Sequence, residues 1–393
     1  MKWPTGALDS VAILDRQSIH PADAEPATPY LGLEHLDGDG AINCAQTIGS
    51  AGPKSNKFQF SDRHLLFGRL RPYLRKIARP AFSGVCSTDI IPILPKSGMS
   101  RDYLFYFLRT PGSVNLATSR CTGANLPRLS PKQLASFRVP LPPLAEQERI
   151  ARILDAAEAL RAKRRETLAQ LDMLLQSTFL DVFGDPVANP MGWEVKSLGD
   201  LAVRKPNNGV FRRNPEYSES LESGLPVVWV EELFRGNRID LSESRRLQAS
   251  QTEIEKYGLL PGDLLFCRSS LKLDGIAYNN VFLGEREEAL FECHLIRVSP
   301  RMDIVNPMFL NLQLRSVPMR ALLKLKSKTA TMTTIDQKAL SSVEVVVPPI
   351  GLQSRFAVVV ESIEQQKARL RNHLAELDTL FASLQSRAFR GDL

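Results

Sequence analysis

Cysteine is scarce and poorly placed for cross-linking. Cys44, Cys86, Cys121, Cys267 and Cys293 are odd in number, widely separated and never form a Cys-x-x-Cys pair, which argues against a disulfide scaffold and a zinc knuckle. The five histidines have no metal-ligand spacing, so no metal site is expected. Long apolar runs are missing too. No window approaches the ~18 uninterrupted apolar residues of a membrane span, and the opening Met-Lys-Trp-Pro-Thr-Gly lacks an apolar leader. A cytoplasmic protein without a membrane partner is the expectation.

Catalytic devices are equally sparse. There is no Walker loop and no His-Glu-x-x-His. Asn214-Pro215-Glu216-Tyr217 and Asn306-Pro307-Met308-Phe309 look like the Asn-Pro-Pro-Tyr/Phe of adenine methyltransferases, but no Gly-rich loop follows a strand to hold S-adenosylmethionine. Glu194-Val195-Lys196 echoes a nuclease Glu-x-Lys, yet it reads as inter-repeat linker with no acid pair before it. The chain reads as non-catalytic.

What is present is a duplication. The 393 residues, 43% hydrophobic and 24% charged, have a soluble globular balance and room for two to three domains. Trp3, Leu8 and Ala12 are matched 190 positions later by Trp193, Leu198 and Ala202. HLLFGR (64–69) falls on DLLFCR (263–268) at an offset of 199. From Leu108 and Arg109, matched by Leu314 and Arg315, the offset settles at 206 and holds to Phe183 and Phe389. A period near 200 is too long for a solenoid and marks a duplicated domain whose early part has diverged most.

Each copy ends in a segment that reads as one long helix. Pro142-Pro143 precedes residues 144–183 and Pro348-Pro349 precedes residues 352–390, both free of proline and glycine, with Gly184 and Gly391 as stops. At 1.5 Å per residue each would span roughly 55–60 Å, more than a compact domain needs. Apolar residues recur at coiled-coil spacing: Phe356, Val360, Ile363, Leu370, Leu374, Leu377 and Phe381 in the second helix, and Ile150, Leu154, Leu168, Leu171 and Leu175 in the first. Pairing the helices with each other buries both seams; parallel pairing would set the two modules side by side at one end, whereas antiparallel pairing, the expected arrangement, puts one at each end and gives a dumb-bell. Arg161, Arg164 and Lys367 interrupt the seams. They mark either a mid-rod contact with another subunit or a polar layer that fixes register.

The net charge is +7, and residues 54–80 alone carry eight basic residues against Asp62. A polyanionic partner follows if those charges face solvent. Phosphate contact needs Lys or Arg, and base-edge reading needs polar side chains on adaptable loops. The candidates are Lys54, Lys57, Arg69, Arg71, Arg75 and Lys76, then Asn125 and Arg128 in TGANLPR (122–128). In the second copy they are Arg268, Ser269, Ser270 and Lys272 in RSSLK (268–272), and Lys328, Thr331 and Thr333 in KTATMTT (328–334).

The repeated junctions VPLPPLAEQERIARIL (139–154) and VVPPIGLQSRF (346–356), each leading into a long helix, resemble the specificity subunit of type I restriction-modification enzymes. The second junction departs from the usual pattern at Gly351 and Phe356. The resemblance implies an α+β fold in which two homologous target-recognition domains (1–143 and 185–349) are separated by two helices (144–184 and 350–393) forming an antiparallel coiled coil, a pseudo-two-fold dumb-bell. It implies double-stranded DNA as partner, read as a split asymmetric site. It also implies two methyltransferase subunits and, where present, restriction subunits. Cofactors would belong to those partners as S-adenosylmethionine, ATP and Mg2+, with none in this chain. A coiled-coil adaptor with two protein-binding modules is the alternative from a different class.

Overall fold

Both copies close on the same antiparallel strand pair. Thr5–Ala7 runs against Arg138–Pro140 in the first, and Glu194–Ser197 against Glu344–Val347 in the second. Glu194-Val195-Lys196 is therefore a strand and not linker. The computed structural model describes every residue except 1, 2, 44, 124, 214, 215, 219–223, 285–287 and 330. Cys44, the Asn214-Pro215 start of one rejected motif, and Ala124 and Ala330 of two candidate loops thus lie outside the described residues. Asn306, which opens the other rejected motif, is a helix cap: its side chain accepts from the Met308 and Phe309 amides.

The chain divides into two compact units, Met1–Arg165 with Asn372–Leu393, and Glu166–Arg371. This division differs from breaks at 143, 184 and 349, because each unit takes part of both long helices. In the first unit a four-stranded antiparallel sheet runs in the order Ala12–Leu14, Ile90–Pro95, Leu65–Gly68, Ile77–Ala78. The second unit repeats it as Asn207–Asn208, Leu295–Val298, Leu264–Cys267, Asn279–Val281. The third strand in each order, Leu65–Gly68 and Leu264–Cys267, is the repeated apolar run and is buried along its whole length in each unit. Both faces are covered, and the sequence accordingly shows a continuous apolar run and not an alternation.

The long helices span Leu144–Phe183 and Ile350–Arg390, and both stop at a glycine of positive φ, Gly184 at 75° and Gly391 at 87°. Their ends lie in the domain cores. Ile150, Leu154 and Phe389 join the core of the first unit; Phe179, Phe183, Phe356 and Val360 join that of the second. The matched phenylalanines play equivalent parts, Phe389 packing on Tyr103 at 5.1 Å between centroids and Phe183 on Phe309 at 4.7 Å.

The Pro-Pro-Leu-x-x-Gln junction has a physical basis in its glutamine. Buried Gln147 accepts from the Ser100 amide (2.9 Å) and donates to the carbonyls of Gly98 (3.1 Å) and Pro142 (2.9 Å). Gln353 does the same with Asn306 (2.8 Å), Ile304 (3.2 Å) and Pro348 (2.6 Å). Each glutamine fastens the helix start to its domain. Removing it leaves three buried backbone groups without partners, each costing about 1–3 kcal/mol. Gln353→Ala is therefore expected to destabilise the second unit by about 3 kcal/mol, read as a lowered urea midpoint; an unchanged midpoint would show that water replaces the staple.

Within each unit the helix segments are antiparallel. In the first, Arg149 reaches the Leu393 carbonyl (2.8 Å) while Arg161 pairs with Asp378; in the second, Phe183 meets Phe356 while Lys367 pairs with Asp172. The seam is tight at the domains and looser beyond them. Ile150, Leu154, Leu175, Phe356, Val360 and Ile363 are buried, whereas Leu168, Leu171, Leu370, Leu374, Leu377 and Phe381 are half-buried.

Two of the polar interruptions form a duplicated layer. Arg161 binds Glu158 one turn earlier and Asp378 on the facing helix, both at 2.6 Å. Lys367, only 2% exposed, binds Glu364 one turn earlier and Asp172 opposite, again both at 2.6 Å. Lys367 is buried although charged, because two carboxylates of its own unit make that burial possible. Both cations are engaged within their own units, which removes the charge-based ground for a contact with another subunit at these positions.

Candidate nucleic-acid interface

The loops singled out by sequence converge pairwise. In the first unit, the segment after Leu65–Gly68 and the segment 122–128 cross through isolated antiparallel bridges, Leu70 with Arg128 and Thr122 with Arg128. The Leu129 amide donates to the Arg69 carbonyl (2.9 Å), the Arg71 amide to Pro127 (2.8 Å) and the Arg69 amide to Asp89 (2.9 Å). In the second unit the same frame is a three-stranded sheet: Ser269–Ser270 pairs with Thr333–Thr334, which pairs with Lys328–Thr329. The Ile335 amide donates to Arg268 (3.0 Å) and the Arg268 amide to His294 (2.8 Å). Position by position these are the same bonds, with Asp89 and His294 in the same place.

The side chains on this common frame differ. Around the first frame Arg71 and Arg75 are exposed and flank a Pro72–Leu74 turn, each in the left-handed region with φ of 50° and 55°. Such backbone costs about 1 kcal/mol per residue and persists because the Arg71 amide is held by Pro127 and the Arg75 amide by Pro72. Tyr73, Leu74 and Leu126 are exposed beside them, as is Asn125. Arg128 makes a two-point ion pair with Asp89, Nε to Oδ1 at 2.8 Å and Nη2 to Oδ2 at 3.0 Å. Around the second frame Leu271, Lys272, Lys328, Thr331 and Met332 are exposed. Met332 is the counterpart of Leu126, so an apolar side chain stands in solvent at the same place twice.

Several candidates do not face solvent freely. Lys57 is buried on the strand Lys57–Phe60, its Nζ donating to the Ser55 carbonyl (2.6 Å) and hydroxyl (2.8 Å), and burial lowers its pKa. It is corrected from reader to structural residue. Lys76 donates to the Leu33 carbonyl (2.6 Å), and Arg69 is half-buried. Arg79 is pinned between Asp102 and Asp155 at 2.9 Å each. The basic stretch 54–80 therefore presents less than its formal charge, with Lys54, Arg63, Arg71 and Arg75 outermost. Lys54 has no bond to the frame among the described residues.

In the second unit Ser269 Oγ bonds His294 Nδ1 (3.0 Å), Ser270 Oγ donates to the Lys272 carbonyl (2.7 Å) and buried Thr333 bonds Thr329 (3.1 Å). These hydroxyls hold the sheet together, and Arg268 reaches back to the Cys293 carbonyl (3.4 Å). Arg315 and Arg320 donate to backbone carbonyls and Lys324 to Asp274, so the acid-free run 315–335 is largely engaged internally.

Sequence reading missed Asp89 and His294, lone residues without a motif, because only the crossing of two distant loops gives them a role. One group with metal-ligand chemistry occurs among the described residues: atoms of Glu292, Cys293 and His294 lie within 4.8 Å of one another. Glu292 already accepts from the His294 amide (2.7 Å), and burial raises its carboxyl pKa, which favours the neutral form over a ligand. No helix among the described residues is long and apolar enough to cross a membrane.

Comparison with known proteins bears on the fold and the family. The family description "Type I restriction modification DNA specificity domain" matches residues 27–171. The specificity subunit of the type I restriction enzyme EcoKI of Escherichia coli (strain K12) is 24% identical over 363 residues, covering 88% of this chain and 73% of that protein. The fold is shared with a chain solved in a study of complex assembly and conformational transition of the type I R-M system (TM-score 0.57, 22% identity, 100% of this chain and 98% of that one). It is also shared with the type I S subunit of M. genitalium (TM-score 0.55, 15% identity, 99% and 96%). A duplicated α+β domain, an antiparallel helix segment pair in each unit and this set of relatives lead to one conclusion: residues 27–171 match the type I restriction-modification DNA specificity domain, and the chain as a whole is similar to type I specificity subunits.

Proposed function

We propose that each crossed-loop frame reads one half of a split, asymmetric double-stranded DNA site, and that the chain supplies recognition without catalysis. In this reading two methyltransferase subunits bind the chain, bring S-adenosylmethionine and extrude the target adenine. Restriction subunits, where present, bring ATP and Mg2+. The site of action is the cytoplasm. The observation that supports the reading most is that one hydrogen-bond frame recurs with different exposed side chains: Arg71, Arg75, Asn125 and Leu126 in one unit, Leu271, Lys272, Thr331 and Met332 in the other. A conserved frame with altered tips is what two readers of different sequences need. An adaptor for proteins has no comparable reason to keep lysine and arginine beside each frame.

The test is salt dependence. Each phosphate contact contributes about 0.9 to the slope of log K against log salt. Replacing Arg71 and Arg75 with alanine is expected to weaken duplex binding by the full chain and to lower that slope by about 2. A slope unchanged by the double substitution would mean that this turn does not face DNA.

A further inference from the structure

We propose that Arg128 reads a guanine edge in the half-site of the first unit and that Asp89 is the residue that positions it; this rests on the DNA-reading function proposed above. A guanidinium has two faces able to make paired hydrogen bonds. Asp89 takes the side face, Nε and Nη2. That leaves the end face, Nη1 with the second Nη2 hydrogen, and Nη1 bonds nothing among the described residues. The side chain is 37% exposed at the crossing of the two loops. A fixed, outward pair of donors matches the O6 and N7 acceptors that guanine presents in the major groove.

The ion pair has no evident structural duty that would explain it otherwise. The second unit builds the same frame with Thr334 and His294 where the first has Arg128 and Asp89. Backbone bonds therefore suffice to cross the loops. A pair this exposed adds little stability; what Asp89 supplies is orientation, since it removes the rotamer freedom that a long side chain otherwise loses on meeting its base. The counterpart in the second unit is a threonine, so the same position there lacks the paired donors, and the two half-sites differ in what this place can require.

The experiment is selection from randomised duplexes by the full chain with its methyltransferase partner. Wild type is expected to enrich a bipartite motif with a strongly preferred G·C pair in one half. Arg128→Ala and Arg128→Lys are expected to reduce the preference at that pair about 10- to 100-fold and leave every other position as it was. Asp89→Asn should relax the same pair by about fivefold, because the guanidinium keeps its charge and loses its brace. The lysine and asparagine variants keep the test decisive if the alanine protein unfolds. A uniform loss of enrichment across all positions would make Arg128 a phosphate contact and overturn the proposal, as would relaxation at a pair other than G·C. A wild-type complex that enriches no motif would overturn the DNA-reading function itself.

Discussion

Lys367→Ala is expected to cost the second unit about 3 kcal/mol, the scale of stranding one buried carboxylate. Lys367 is 2% exposed and Glu364 12%, while Asp172 is 59% exposed. With the lysine gone, Glu364 retains Asn237 Nδ2 at 2.7 Å and a distant Arg371 at 3.9 Å, neither of which replaces a bonded ammonium. Asp172→Ala should cost well under about 1 kcal/mol, because the carboxylate it removes is 59% exposed and Lys367 keeps its bond to Glu364. Lys367→Arg should fall between the two. Arg161 performs the same task in the first unit with Glu158 and Asp378, but it is not as fully enclosed and lies over the Phe381 ring at 4.5 Å. Urea midpoints of the three variants check the order. A Lys367→Ala protein as stable as wild type would show that the layer adds nothing to the helix pairing.

Much of the frame was legible because it is written in residues whose spacing is dictated by backbone geometry. The proline pairs, the stretches free of proline and glycine, and Gly184 and Gly391 bound the long helices to within two residues. The strand runs 64–69 and 263–268 register the two sheets. What remained hidden was the fate of charge. Composition counts Lys57 and Arg79 like Arg71 and Arg75, yet the first two turn inward to partners distant in sequence or fixed by local turns. A seam position occupied by Lys367 reads as a flaw until Asp172, far away in the chain, is placed opposite it.

The candidate site divides along the same line. Its loops were identifiable because basic and polar residues recur at matching places in the two copies, and the structure brings each pair of loops together. Its clamps were not. Asp89 and His294 sit in turns without any pattern around them, and the hydroxyls of Ser269, Ser270 and Thr333 look available until their partners are seen. Gln147 and Gln353 belong to the family junction but have no evident purpose in sequence, because their partners are backbone groups.

The common frame makes the reading elements exchangeable, and this is where the largest change in behaviour is expected. Segments 122–128 and 328–334 have equal length and make the same bridges, to Leu70 in one unit and Ser269 in the other. A chain carrying TGANLPR in place of residues 328–334, together with His294→Asp, would hold an arginine and an aspartate where Thr334 and His294 stand. If the proposed reading is right, the grafted unit is expected to lose whatever preference Thr331 and Met332 supply and to gain a G·C requirement, a change of about 100-fold or more when two bases are affected. The first unit is untouched by the exchange. The decisive measurement is therefore the motif selected from randomised duplexes by the grafted chain beside that selected by wild type. Independent reading by two equivalent frames predicts one half-site unchanged and the other converted; conversion of both halves together, or of neither, would contradict it.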